Sequence, residues 1–178
     1  MPEIEYKDVA DRLADINQRI LSANPRANLF FTMDDSQRWP HWYWTLLTQI
    51  HVAAGDSQIV YLTSSLADDA SERDEVIAFT GKAVVHALVT DVAKGDSGAQ
   101  VRTDLWRRRE LESMSILHVD PLPSRNTGHP VRFPRGLSLE LRYGDRPTLT
   151  VPLTRWSDAE GNDAVGELLE GVRGDLAR

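Results

Sequence analysis

Apolar side chains return along the first stretch of the chain at Val9, Leu13, Ile16 and Ile20. Steps of four, three and four residues place them on one helical stripe, so a helix is predicted over Glu5–Leu21. Asp8, Asp11, Arg12, Asp15 and Arg19 take the opposite face, and Asn24–Pro25 ends the helix. Leu29–Phe31 reads as a short edge strand. From Trp42 the period falls to two. Trp42, Trp44, Leu46, Ile50 and Val52 share one parity, interrupted at Thr48, while Tyr43, Thr45, Leu47, Gln49 and His51 share the other. That pattern predicts a half-buried first strand over Trp42–Val52. Further strands are expected over 58–63, 76–80, 83–92, 101–107, 114–119, 137–143 and 147–153.

The hairpin VIAFTGKAVVHALVTDV, Val76–Val92, forms the centre of this series, turning at Gly81–Lys82. Ala67–Glu75 is rich in acids and reads as a solvated loop. Arg109–Ser113 fits one helical turn, and Asp120–Gly136, with four prolines, reads as the longest loop. Ser157–Asp–Ala–Glu160 has the form of a capping box before a last helix. Val165, Leu168, Leu169, Val172 and Leu176 mark the buried stripe of that helix. Gly161, Gly166, Gly171 and Gly174 each weaken it by about 1 kcal/mol where they fall inside it, so packing must hold it.

This order predicts an α+β fold: an antiparallel β-barrel or sandwich with a C-terminal capping helix and an extra N-terminal helix. Residues 1–36 would form the N-terminal helix and connector, and 37–178 a single β-rich domain. A chain of 178 residues buries a core without staples. Cysteine is absent, which removes disulfides, thiolate catalysis and thiolate zinc sites. Charge runs throughout residues 1–20, and no apolar run nears the ~20 residues that span a bilayer, so a cytoplasmic location is expected. The net charge of −7 disfavours non-specific nucleic-acid binding. It is uneven: Val101–Arg142 holds eight arginines and five acids, a local +3 against −10 elsewhere.

The segment Ile77–Ala–Phe–Thr–Gly–Lys–Ala–Val–Val–His86, the hairpin LSLELRYGDRPTLTVPL and the closing helix together resemble bacterial pleckstrin-homology-like domains, over about residues 42–176. The resemblance implies two bent sheets packed nearly at right angles, a helix plugging one open end, and a binding or assembly module in place of an enzyme. Lipid-binding members of that superfamily cluster basic residues in the loop joining their first two strands. With a first strand at 42–52, that loop here is Ala53–Ser57, which has an acid and no base; a phosphoinositide site is not expected.

Few residues stand out for chemistry. In Trp39–Pro–His–Trp–Tyr–Trp44, the strand reading buries Trp42 and Trp44 and leaves Trp39 and Tyr43 as exposed aromatic contacts. Trp106, Arg107, Arg108 and Arg109, with Arg125, Arg132 and Arg135, form a candidate anion- or partner-binding set, against which stands a solvated strand edge neutralised by Asp68–Glu75. Thr80–Gly81–Lys82 lacks the rest of a phosphate loop. The five histidines have no helical metal spacing, and His118–Val–Asp120 offers two ligands without a third; neither metal nor cofactor is expected. No catalytic residue is nominated. The expected function is a non-enzymatic module acting through protein contacts, as a homodimer or with another protein. The alternatives are a secretion or chaperone adaptor for a client, and a weak anion-binding module for lipid or nucleic acid. Seven or eight strands in a barrel would favour the first reading, and about five in an open sheet the adaptor.

Overall fold

The computed structural model describes residues 6–24, 27, 39–67, 73–92, 98–120, 136–154 and 159–177. Its elements in chain order are helices α1 (Tyr6–Ala23) and α2 (His41–Ala54), then strands β1 (Ile59–Ser64), β2 (Asp74–Thr80), β3 (Ala83–Thr90) and β4 (Gln100–Arg107). A 3-10 turn (Arg108–Glu110) leads to β5 (Ser113–His118), β6 (Ser138–Arg142) and β7 (Leu149–Val151), and helix α3 (Ala159–Leu176) closes the chain. The fold is α+β, as the pattern predicts. Among the described residues the strands form two antiparallel sheets, β1-β2-β3-β4 and β5-β6-β7, which do not close into a barrel.

The four-stranded sheet is a middle layer. Opposed residues share a face, so the register of Ala78 with Val85 and of Ile77 with His86 assigns alternate positions to opposite sides. Val76, Ala78, Val85, Ala87 and Val89 pack beneath α1 and α2. Ile77, Phe79, Val84 and Trp106 meet Leu139, Leu141 and Val151 of the second sheet and Val165, Leu168 and Val172 of α3. Burial on both faces explains why the Val76–Val92 hairpin is nearly continuous in apolar residues. Its turn falls at Gly81–Lys82 as expected, with the Thr80 hydroxyl accepting the Lys82 and Ala83 amides at 3.2 and 2.9 Å.

Residues 42–52 are a helix, not the expected first strand. The same sequence carries both periods. Trp42, Tyr43, Leu46, Leu47 and Ile50 form a stripe at helical spacing and are buried. Burying such side chains gains about 1.5–3 kcal/mol each. The strand reading placed Trp44 and Val52 inside, yet they are 38% and 72% exposed. Thr45 and Thr48 donate to the His41 and Trp44 carbonyls at 3.0 and 2.9 Å, which reconciles two strand-favouring residues with a helix. Gly55, at φ +58°, ends α2 with its amide on the His51 carbonyl. Removing that strand leaves seven, and the loop joining the first two strands becomes residues 65–73, not Ala53–Ser57. Leu29–Phe31 and the Ser157–Asp158 start of the capping box lie outside the described residues. Asp74 and Glu75, expected in the solvated loop, begin β2. No described helix is long and apolar enough to cross a membrane.

Candidate functional site

The chain passes from one sheet to the other at the end of β4. The Arg108 amide bonds the Lys82 carbonyl at 2.9 Å, the Leu111 amide returns to the Arg108 carbonyl at 3.2 Å, and the Glu112 amide starts the second sheet on Arg142 at 2.9 Å. This tight passage separates three consecutive cations. Arg107 and Arg109 stay exposed, while Arg108 turns inward and is buried. Its guanidinium lies against α3: Nε donates to a carboxylate oxygen of Asp175 at 2.8 Å, Nη2 lies 2.7 Å from the same oxygen in an ion pair, and Nη1 donates to the Thr80 carbonyl at 3.0 Å. Gly171 makes room for it, because a Cβ there would lie 2.7 Å from Arg108 Nη2. The pair therefore fastens the closing helix to the corner where the sheets meet.

Trp106 is the hub of that corner. Its ring lies 5.4 Å from the His86 ring and 5.7 Å from the Tyr143 ring, with the Arg146 guanidinium carbon 5.5 Å from its centroid. His86 Nε2 meets Glu75 at 2.8 Å. Arg146 reaches Glu110 at 2.8 Å, and Arg142 reaches Glu140 at 3.1 Å. The Tyr143 hydroxyl is buried without a hydrogen-bond partner among the described residues. Burial pushes its pKa well above the ordinary tyrosine value; nearby Arg108 partly opposes this and Asp175 adds to it.

The expected site residues thus separate. Trp106 and Arg108 are buried, and Arg107 and Arg109 remain at the surface. Arg125, Arg132 and Arg135 lie outside the described residues. Trp39 and Tyr43, expected to be exposed aromatics, are buried: helix α2 turns Tyr43 inward, Trp39 just before the helix packs on it edge-on at 5.2 Å, and the Tyr43 hydroxyl donates to Asn17 at 2.7 Å. Trp44 is the ring left exposed.

Asp175 and Gly171 are not among the residues that the sequence pattern singles out for a site. A signal existed, since Asp175 follows Val172 by three residues and so falls on the apolar stripe of α3. Leu176, assigned to that stripe, is 39% exposed instead.

A cavity of about 230 Å³ lies where α1 and the end of α2 meet the start of β1, lined by Arg12, Asp15, His51 and Asp56 among others. Its charges engage one another: Arg12 donates to the Gly55 carbonyl at 2.5 Å and lies 3.8 Å from Asp56, and Arg19 holds Asp15 at 2.9 Å. His118 meets Asp120 at 3.2 Å. Among the described residues, no group of three His, Cys, Asp or Glu is placed to hold a metal ion.

Apolar groups behave differently. Leu105 on β4 is 55% exposed, and Ile116 and Leu117 on β5 are 50% and 53% exposed. Both strands are sheet edges among the described residues. Comparisons with protein-family models, curated proteins and solved structures give no match.

Proposed function

We propose that this chain is a non-enzymatic binding or assembly module that works through protein contacts, built on a pleckstrin-homology-like plan. Sheets of four and three antiparallel strands in chain order, followed by a helix packed against both, support that plan. The observation that carries the function is the contrast at the two sheet edges. About Trp106, Arg108 pairs with Asp175 and Arg146 with Glu110, whereas Leu105, Ile116 and Leu117 stand in solvent on edge strands whose outer backbone groups pair with no described strand. Such an edge offers main-chain hydrogen bonds for affinity and side-chain contacts for selectivity. The loop between β1 and β2 has Asp68, Asp69 and Glu72 in its sequence against Arg73 alone, which does not favour a phosphoinositide headgroup.

The test compares the full chain with a Leu105→Lys/Leu117→Lys variant in quantitative affinity capture and in sedimentation. A second copy, or a specific protein bound by the native chain and released by the variant, is the expected result. Identical behaviour of the two chains would refute the reading.

A further inference from the structure

Resting on that protein-contact reading, we infer that the partner at β4 is a second copy of this chain, joined edge to edge across a twofold axis into one continuous sheet. Natural sheets protect their edges with short strands, bulges, proline or charged side chains. Among the described residues, three of the four edges are short or irregular. The pairing of β1 is irregular between Ile59 and Tyr61, that of β5 between Ile116 and His118, and β7 has only three residues. β4 is neither short nor irregular, and the charges that guard it, Arg102 and Asp104, are of opposite sign. It runs eight residues without proline, in unbroken register with β3 from Gln100 opposite Thr90 to Arg107 opposite Ala83. Gln49 of α2 reaches this edge, accepting from the Thr103 hydroxyl at 2.8 Å and donating to the outward-facing Val101 carbonyl at 3.5 Å, a long bond that edge-to-edge pairing would replace.

The charges on β4 fit its own copy. Arg102, with a side chain 77% exposed, and Asp104 lie on one face, 3.1 Å apart at their closest. A twofold axis perpendicular to the sheet opposes only residues of equal parity. Centred on Arg102 it sets guanidinium against guanidinium, and centred on Asp104 carboxylate against carboxylate. Centred on Thr103 it sets Arg102 against Asp104 twice, Val101 against Leu105 twice, and Thr103 against Thr103. Opposite charges and hydroxyl pairs directly across strands are both favourable. Every contact is reciprocal, as an isologous interface requires. The exposed Leu105 is thereby covered by Val101 of the partner copy. The sheet becomes β1-β2-β3-β4 continued by β4-β3-β2-β1.

Sedimentation velocity from micromolar to about 100 µM tests this with four chains: native, Arg102→Asp, Asp104→Arg and the double exchange. Circular dichroism checks that each is folded. The native chain is expected to dimerise. Each single exchange sets like charges opposite each other and weakens the dimer at least ~10-fold, and the double exchange returns it to within ~3-fold of native. A native chain that stays monomeric overturns the inference, as does a dimer indifferent to the single exchanges or one that the double exchange does not restore. A monomer that captures another protein through Leu105 assigns the edge to a foreign strand: the self-pairing then fails while the protein-contact reading stands. If no protein and no second copy depends on Leu105 or Leu117, both fail.

Discussion

Two glycines three residues apart on α3 should respond to the same substitution with opposite signs. Alanine in place of glycine favours a helix by about 1 kcal/mol, and among the described residues nothing lies within 4 Å of a Cβ at Gly174. Gly174→Ala should therefore stabilise the chain, by about 0.5–1 kcal/mol so near the helix end. At Gly171 the new Cβ meets Arg108 Nη2 at 2.7 Å, inside any ordinary contact distance. The guanidinium has nowhere to withdraw without lengthening its bonds to Asp175 or to the Thr80 carbonyl. A hydrogen bond to a charged group is worth about 1.5–3 kcal/mol, which exceeds the helix gain. Gly171→Ala should thus cost about 0.5–2 kcal/mol net, or a few degrees in melting temperature for a chain of this size. Urea denaturation followed by tryptophan fluorescence and circular dichroism reads both variants. In an Arg108→Ala background, itself weakened by about 3–5 kcal/mol because Asp175 loses its partner, Gly171→Ala should change sign and become stabilising. If Gly171→Ala stabilises the native chain as much as Gly174→Ala does, Arg108 does not occupy the space against α3 and the proposed fastening is wrong.

Tyr143→Phe removes a buried hydroxyl with no hydrogen-bond partner among the described residues and should raise the urea midpoint, corresponding to about 1 kcal/mol; a loss of stability would mean that the hydroxyl is satisfied in solution. Burial holds the Tyr43, Tyr61 and Tyr143 hydroxyls above the ordinary tyrosine pKa. A raised folded-state pKa means that the folded chain keeps protons the unfolded chain would release. Stability is therefore complete below about pH 10 and declines as the pH rises beyond it. Phenolate absorbance from these three residues should appear together with loss of the dichroism signal; phenolate formation in a still-folded chain would contradict their burial.

The sequence by itself determined the local alternatives that only one structure satisfies. The apolar hairpin around Gly81–Lys82 required strands buried on both faces, and the stripe Val165–Leu168–Leu169–Val172 required a closing helix. Val9 to Ile20 required an opening one. Period alone did not decide Trp42–Val52, where apolar residues fit a strand parity and a helical stripe at once. Packing decided it: the helical choice buries Tyr43 and Leu47 completely, with the Tyr43 hydroxyl on Asn17 of α1. The role of Arg108 was equally hidden. Three adjacent arginines look alike in sequence, and only the passage from one sheet to the other turns the middle one toward Asp175, 67 residues along the chain. Contacts of that separation depend on where the backbone has already been placed, and so the tertiary structure alone decided which cation became part of the core and which stayed at the surface.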